Sequence, residues 1–104
     1  MNIIMTAGDA KSLCMEALQN AREKCFDEAH KLLEEANERI LDIHRLQTTL
    51  MQRECSGEKI EFSVLLVHSQ DHLTNAMITY DLANEFIAFM EETNNRFVNI
   101  KEGK

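Results

Sequence analysis

The sequence predicts an all-α protein, an antiparallel three-helix bundle in up-down-up order. Three observations carry this reading. Proline is absent and glycine occurs only at Gly8, Gly57 and Gly103, so little interrupts a helix. Ala, Leu, Glu, Lys and Met, all good helix formers, are plentiful. Apolar residues recur at alternating spacings of three and four in three successive segments, which is the spacing of a helix with one buried stripe. At 104 residues the chain reads as one domain, 1–104. A core of this size leaves much surface uncovered, so association would supplement it.

The first helix is expected over about 3–23. Its seam is Ile3, Ala7, Ala10, Cys14, Ala17 and Ala21, widened by Leu13 and Leu18. These side chains are mostly small, which lets another helix come close. Gly8 sits inside this helix, where it costs on the order of 1 kcal/mol against alanine, and either a close helix contact or an irregularity near the N-terminus would explain it. The periodicity breaks at Arg22-Glu23-Lys24-Cys25, where a short turn is expected without glycine or proline to mark it.

The second helix is expected over about 26–54. Its seam is Phe26, Ala29, Leu33, Ala36, Ile40, Ile43, Gln47 and Leu50, and its outer face carries Asp27, Glu28, Lys31, Glu34, Glu35, Glu38 and Arg39. Gln47 places a carboxamide in an apolar seam. It is either a polar layer that sets the register or a support for a polar site opposite. His44, one turn earlier, and His30 read as surface residues. Cys55-Ser56-Gly57-Glu58-Lys59 forms the second turn, and Gly57 suits the left-handed backbone that ends a helix.

The third helix is expected over about 60–94, with the tail 95–104 frayed or partly ordered. Leu66, Ser69, Leu73, Ala76, Tyr80, Ala83, Ile87 and Met90 form its seam. Val64, Leu65, Met77 and Phe86 widen the apolar surface beyond what one intramolecular contact needs, which suggests self-association.

Charge and composition exclude several functions. The net charge of −7 argues against nucleic-acid binding, which needs Lys and Arg contacts to phosphate, and favours a basic protein partner. No run of about 18 apolar residues could span a membrane, and the N-terminus lacks the pattern of a signal peptide. Cys14, Cys25 and Cys55 are odd in number and far apart, with no metal-finger spacing, so a reducing, cytoplasmic compartment is expected.

The chemistry concentrates in Val67-His68-Ser69-Gln70-Asp71-His72-Leu73. On a helix His68, Asp71, His72 and Asn75 share a face, with Gln70 on a flank. Two chemistries suit this spacing. His68 and His72, one turn apart, can ligate a metal with Asp71 adding oxygen, provided further ligands come from elsewhere. Alternatively, a nitrogen of one histidine can carry a phosphoryl group while His72, Gln70, Ser69 and Gln47 orient it. No glycine-rich phosphate loop is present, so the phosphoryl donor would be another phosphorylated protein rather than a nucleotide.

These residues resemble a known family. Ala7-Gly8-Asp9-Ala10-Lys11-Ser12 with Glu16-Ala17-Leu18, Phe26-Asp27-Glu28-Ala29, His44 with Gln47-Thr48, and Leu65 to Leu73 follow the order and spacing of the enzyme IIA component of the lactose/cellobiose/chitobiose class of the bacterial sugar phosphotransferase system. The resemblance implies a homotrimer of three-helix bundles. It implies that His68 accepts a phosphoryl group from phospho-HPr and passes it to a cognate enzyme IIB, with the membrane component IIC downstream. His72 would contact the phosphoryl group or orient the site, with Gln70 as support. Asp71 would face the trimer axis and share a divalent metal, magnesium by the preference of hard ions for oxygen ligands. Thr74, Cys25 and the tail beyond Asn94 depart from the family pattern. The alternative from another class is a non-catalytic helical oligomer that binds metal through His68, Asp71 and His72 and acts as a scaffold or regulator.

Overall fold

The computed structural model describes residues 3–57 and 64–103. They form three helices: α1 (Ile3–Arg22), α2 (Phe26–Cys55) and α3 (Val64–Lys101). Among the described residues there is no strand. Of the second turn, Glu58 and Lys59 lie outside the described residues, as do residues 60–63 at the expected start of helix three.

The seams form the core. On α1, Ala7, Ala10, Cys14, Ala17 and Ala21 are buried. On α2, Ala29, Leu33, Ala36, Ile40 and Ile43 are buried, and on α3, Ser69, Leu73, Ala76, Ala83 and Ile87. They make two stacked clusters. One joins Cys14, Ala17 and Ala21 to Ala29, Leu33, Ala36, Ala83 and Ile87. The other joins Ala7 and Ala10 to Ile40, Ile43, Leu73 and Ala76. Tyr80 packs against both. Residue numbers run oppositely on α1 and α2, oppositely on α2 and α3, and together on α1 and α3, which is the up-down-up order. The buried face of α1 is almost entirely alanine, so α2 and α3 lie close against it.

The turn between α1 and α2 is a helix cap built without glycine. The amide of Cys25 donates to the carbonyl of Asn20 at 2.8 Å, and that of Lys24 donates to Ala21 at 3.0 Å. This bond pair places the intervening residue in the left-handed region. Lys24 holds it, with φ of 65°. Glycine adopts that conformation without the roughly 1 kcal/mol that a side chain costs there. After α2, Gly57 takes the same role, with φ of 88°.

Two expectations need correction. The tail is not frayed: α3 continues through Lys101. Residues 95–101 contain no helix breaker, and Arg96 bridges Glu92 one turn earlier at 2.6 Å. Phe97 lines one groove with Phe89 and Met90. Gly8 does not mark a close helix contact, because a Cβ built there meets nothing within 4 Å.

The helices differ in length. With a rise of about 1.5 Å per residue, α1 spans about 30 Å and α3 about 57 Å. The molecule is a rod of 66 × 21 × 16 Å.

Candidate functional site

The motif lies in the first third of α3, where the core of the second cluster ends. Leu73 and Ser69 are buried and fix the rotation of the helix, and every other position follows at about 100° per residue. His68 is within α3, and its side chain lies outside the described residues, as do those of residues 64–66. His72 is half-buried, on the border between core and solvent. Asp71 and Asn75 are exposed.

Asp71 stands in an apolar surface. Val67, Ile78, Leu82 and Phe89 are all exposed, at 42%, 52%, 53% and 66%. They lie within about 40° of Asp71 around α3, as do the exposed polar residues Asn75, Glu85 and Arg96. This stripe runs opposite the core face. Among the described residues Asp71 has no ion pair or side-chain hydrogen bond. Asp71 and His72, adjacent in sequence, serve different surfaces of α3. Asp71 is centred on the exposed stripe, and His72 turns about 100° away from it, on the opposite side from Gln70.

Gln70 points elsewhere. It is two residues, about 200°, around the helix from His68. Its Oε1 accepts a hydrogen bond from the Nε2 of Gln47 on α2. The carboxamide in the α2 seam thus meets the carboxamide of the motif and ties α2 to the start of α3. This pairing gives the Gln47 carboxamide a polar partner across the helices. His44 is half-buried one turn before Gln47.

His30, read as a surface residue, is exposed but has a partner. Its Nε2 lies 2.7 Å from Glu91 Oε2 on α3. No signal within one helix marks this pair, because the two residues are 61 positions apart. The cysteines are all free: Cys14 is buried and Cys25 and Cys55 are exposed. Burial raises the Cys14 thiol from its ordinary pKa of 9.0 to about 11, so it is an inert core residue. Among the described residues no three His, Cys, Asp or Glu side chains gather into a metal site. Among the described residues no helix is long and apolar enough to cross a membrane.

Comparison with known proteins places this arrangement. Residues 1–91 match the family described as the PTS system, lactose/cellobiose specific IIA subunit. The chain belongs to the lactose/cellobiose-specific IIA family of the phosphotransferase system. This IIA chain is 44% identical over 85 residues to the lactose-specific EIIA component of Staphylococcus epidermidis, covering 82% of each chain. The crystal structure of the cellobiose-specific enzyme IIA from Bacillus anthracis superposes with a TM-score of 0.85 at 44% identity, over 90% of this chain and 86% of that one. The IIA(chitobiose)–HPr complex of Escherichia coli, solved in solution, superposes with a TM-score of 0.78 at 30% identity, over 90% of this chain and 91% of its own. The metal-binding scaffold alternative finds no support in these relatives, which are phosphotransferase components.

Proposed function

We propose that this IIA chain is a cytoplasmic phosphoryl carrier for disaccharide uptake, loaded by phospho-HPr on His68 and unloaded by a cognate IIB. In the loading step a ring nitrogen of His68 attacks phosphorus and forms a P–N bond. The bond between phosphorus and its carrier atom on HPr breaks, and the electron pair leaves with that atom. The His68 ring gives up its proton as the leaving carrier gains one. His72, one turn along the same helix, orients the transferred group, and the Gln47–Gln70 pair holds the start of α3 in place. The observation that carries the reading is the complete His68-Ser69-Gln70-Asp71-His72 motif on α3 of a chain that superposes on a IIA protein solved in complex with HPr.

The exposed stripe supports a trimer in which three α3 helices meet along Val67, Asp71, Ile78, Leu82 and Phe89. Three Asp71 carboxylates would then converge and repel one another. A divalent cation suits that all-oxygen donor set, and magnesium fits best among hard ions. Its contribution is to neutralise charge at the assembly axis.

The test is reconstitution with phosphoenolpyruvate, the general phosphotransferase enzyme and HPr. One acid-labile phosphate per chain is expected, and none in His68→Ala. A His68→Ala protein labelled at the wild-type rate would overturn the assignment.

A further inference from the structure

Large apolar residues on the outer side of α3 recur at a step of eleven: Val67, Ile78, Phe89 and Ile100. All of them are exposed, and Ile100 is the barest at 78%. Eleven residues overshoot three full turns by only about 20°, so Ile100 lies about 20° from both Phe89 and Asp71 around the helix. Phe86 and Phe97, also exposed, run at the same step along one edge of this face. A step of seven drifts the other way. From Asp71 it leads through Ile78 to Glu85, Glu92 and Asn99, which are polar. The apolar course therefore follows the longer step. That step carries it beyond residue 91, where the match to the family ends. Arg96 stands on the same face between Phe89 and Ile100. It is neutralised within its own chain by Glu92 at 2.6 Å, so copies that meet here do not bring bare cations together. Glu85, about 40° from Asp71, stands at the margin.

From this pattern we infer that residues 92–101 extend the contact between copies of this chain, so that in the trimer proposed for the α3 stripe, on which this rests, the three helices stay together through Ile100. The occupant of the exposed end is a second copy rather than an unrelated partner, because one angular course serves Ile78, Phe89 and Ile100 alike. Parallel copies about a three-fold axis bring each residue level with its own counterparts, so Ile100 meets Ile100. An eleven-residue step makes the three helices run nearly straight or with a slight right-handed twist, not the left-handed twist of a heptad coil. The exposed pair of Arg96 and Glu92 holds the end of α3 only weakly. Burial of Ile100 against its copies holds it more firmly.

Sedimentation equilibrium over a concentration series, with magnesium present, compares the wild type with Ile100→Asp and Asn99→Asp. Both positions are exposed in the single chain, so neither change touches its core, and circular dichroism checks the fold. Ile100→Asp is expected to raise the concentration of half-dissociation at least about tenfold. Asn99→Asp adds the same charge about 100° away and should leave that concentration within about twofold of the wild type. Amide exchange at 97–101 should be slower in the wild-type trimer than in Ile100→Asp. A wild-type trimer that Ile100→Asp leaves unchanged would overturn the inference while the trimer stands, and would assign the end of α3 to a different partner. Equal weakening by Asn99→Asp would also overturn it, by reducing the effect to added charge. A wild-type chain that stays monomeric would overturn the trimer and this extension together, while labelling of His68 reads the carrier role on its own.

Discussion

Gln47 on α2 donates its carboxamide hydrogen to the Oε1 of Gln70 on α3, one turn beyond the buried Ile43 and just ahead of the buried Leu73. Removing one partner leaves the other to find water, which a half-buried site allows. Gln47→Ala is therefore expected to cost about 1 kcal/mol, and a double-mutant cycle with Gln70→Ala should recover most of it as coupling. Amide exchange in the first turns of α3 should quicken in Gln47→Ala while that of Ala83 and Ile87 stays unchanged. Additive effects of the two substitutions would show that the pair carries no stability.

Two backbone positions are held against local preference, and exchanging the residue types should stabilise both. Lys24→Gly relieves the left-handed φ and is expected to gain roughly 0.5–1 kcal/mol. Gly8→Ala gains a similar amount, on the order of 0.5–1 kcal/mol, because the new methyl meets open space in the middle of α1. Urea denaturation of the two single variants and the double variant measures both gains, and the distance between the sites makes them additive.

The buried thiol of Cys14 gives a pH signature. Its pKa is about 11 in the fold against 9.0 unperturbed. Between those values the unfolded chain has lost the proton and the native chain keeps it, so stability falls as pH rises. The contribution is whole below pH 9.0 and is lost on approach to about 11, with a span on the order of 2 kcal/mol. Cys14→Ala should flatten that part of the profile. With a thiol reagent at about pH 8, Cys25 and Cys55 should react quickly and Cys14 only as the protein opens.

Much of the fold was legible because burial in a helix follows from spacing along one chain. Each α1 seam residue from Ala7 to Ala21 is buried, as are Ala29 to Ile43 on α2 and Ser69 to Ile87 on α3, Tyr80 excepted. Spacing also put Gln47 in the seam and the motif on α3. It was silent on axial stagger between helices, so neither the Gln47–Gln70 pair nor the His30–Glu91 pair could be read. Lys24 hid a glycine-type cap behind an ordinary residue. The fading of the heptad after Asn94 concealed a helix that continues because nothing in it breaks a helix and because its exposed apolar side chains do not need a core on that side.

In the proposed trimer, Asp71 would bring three carboxylates together and tie assembly to a cation. Three carboxylates meeting at about 5 Å repel by roughly 3 kcal/mol per pair at an effective dielectric near 20. Sedimentation velocity should show the proposed wild-type trimer weakened by a divalent-metal chelator and restored by magnesium. The Asp71→Leu trimer should be indifferent to both. Equal responses of the two proteins would remove the metal from the assembly.

A helix of 38 residues is steadied along little more than half its length by one of 20. Its two ends are therefore governed by linkage: whatever engages either end of α3 adds its own binding free energy to the order of that end, about 2.7 kcal/mol for a ligand at a hundred times its Kd. The thermal midpoint of this rod becomes a report on occupancy, and two ligands that never touch can be heard through the melting of the helix they share.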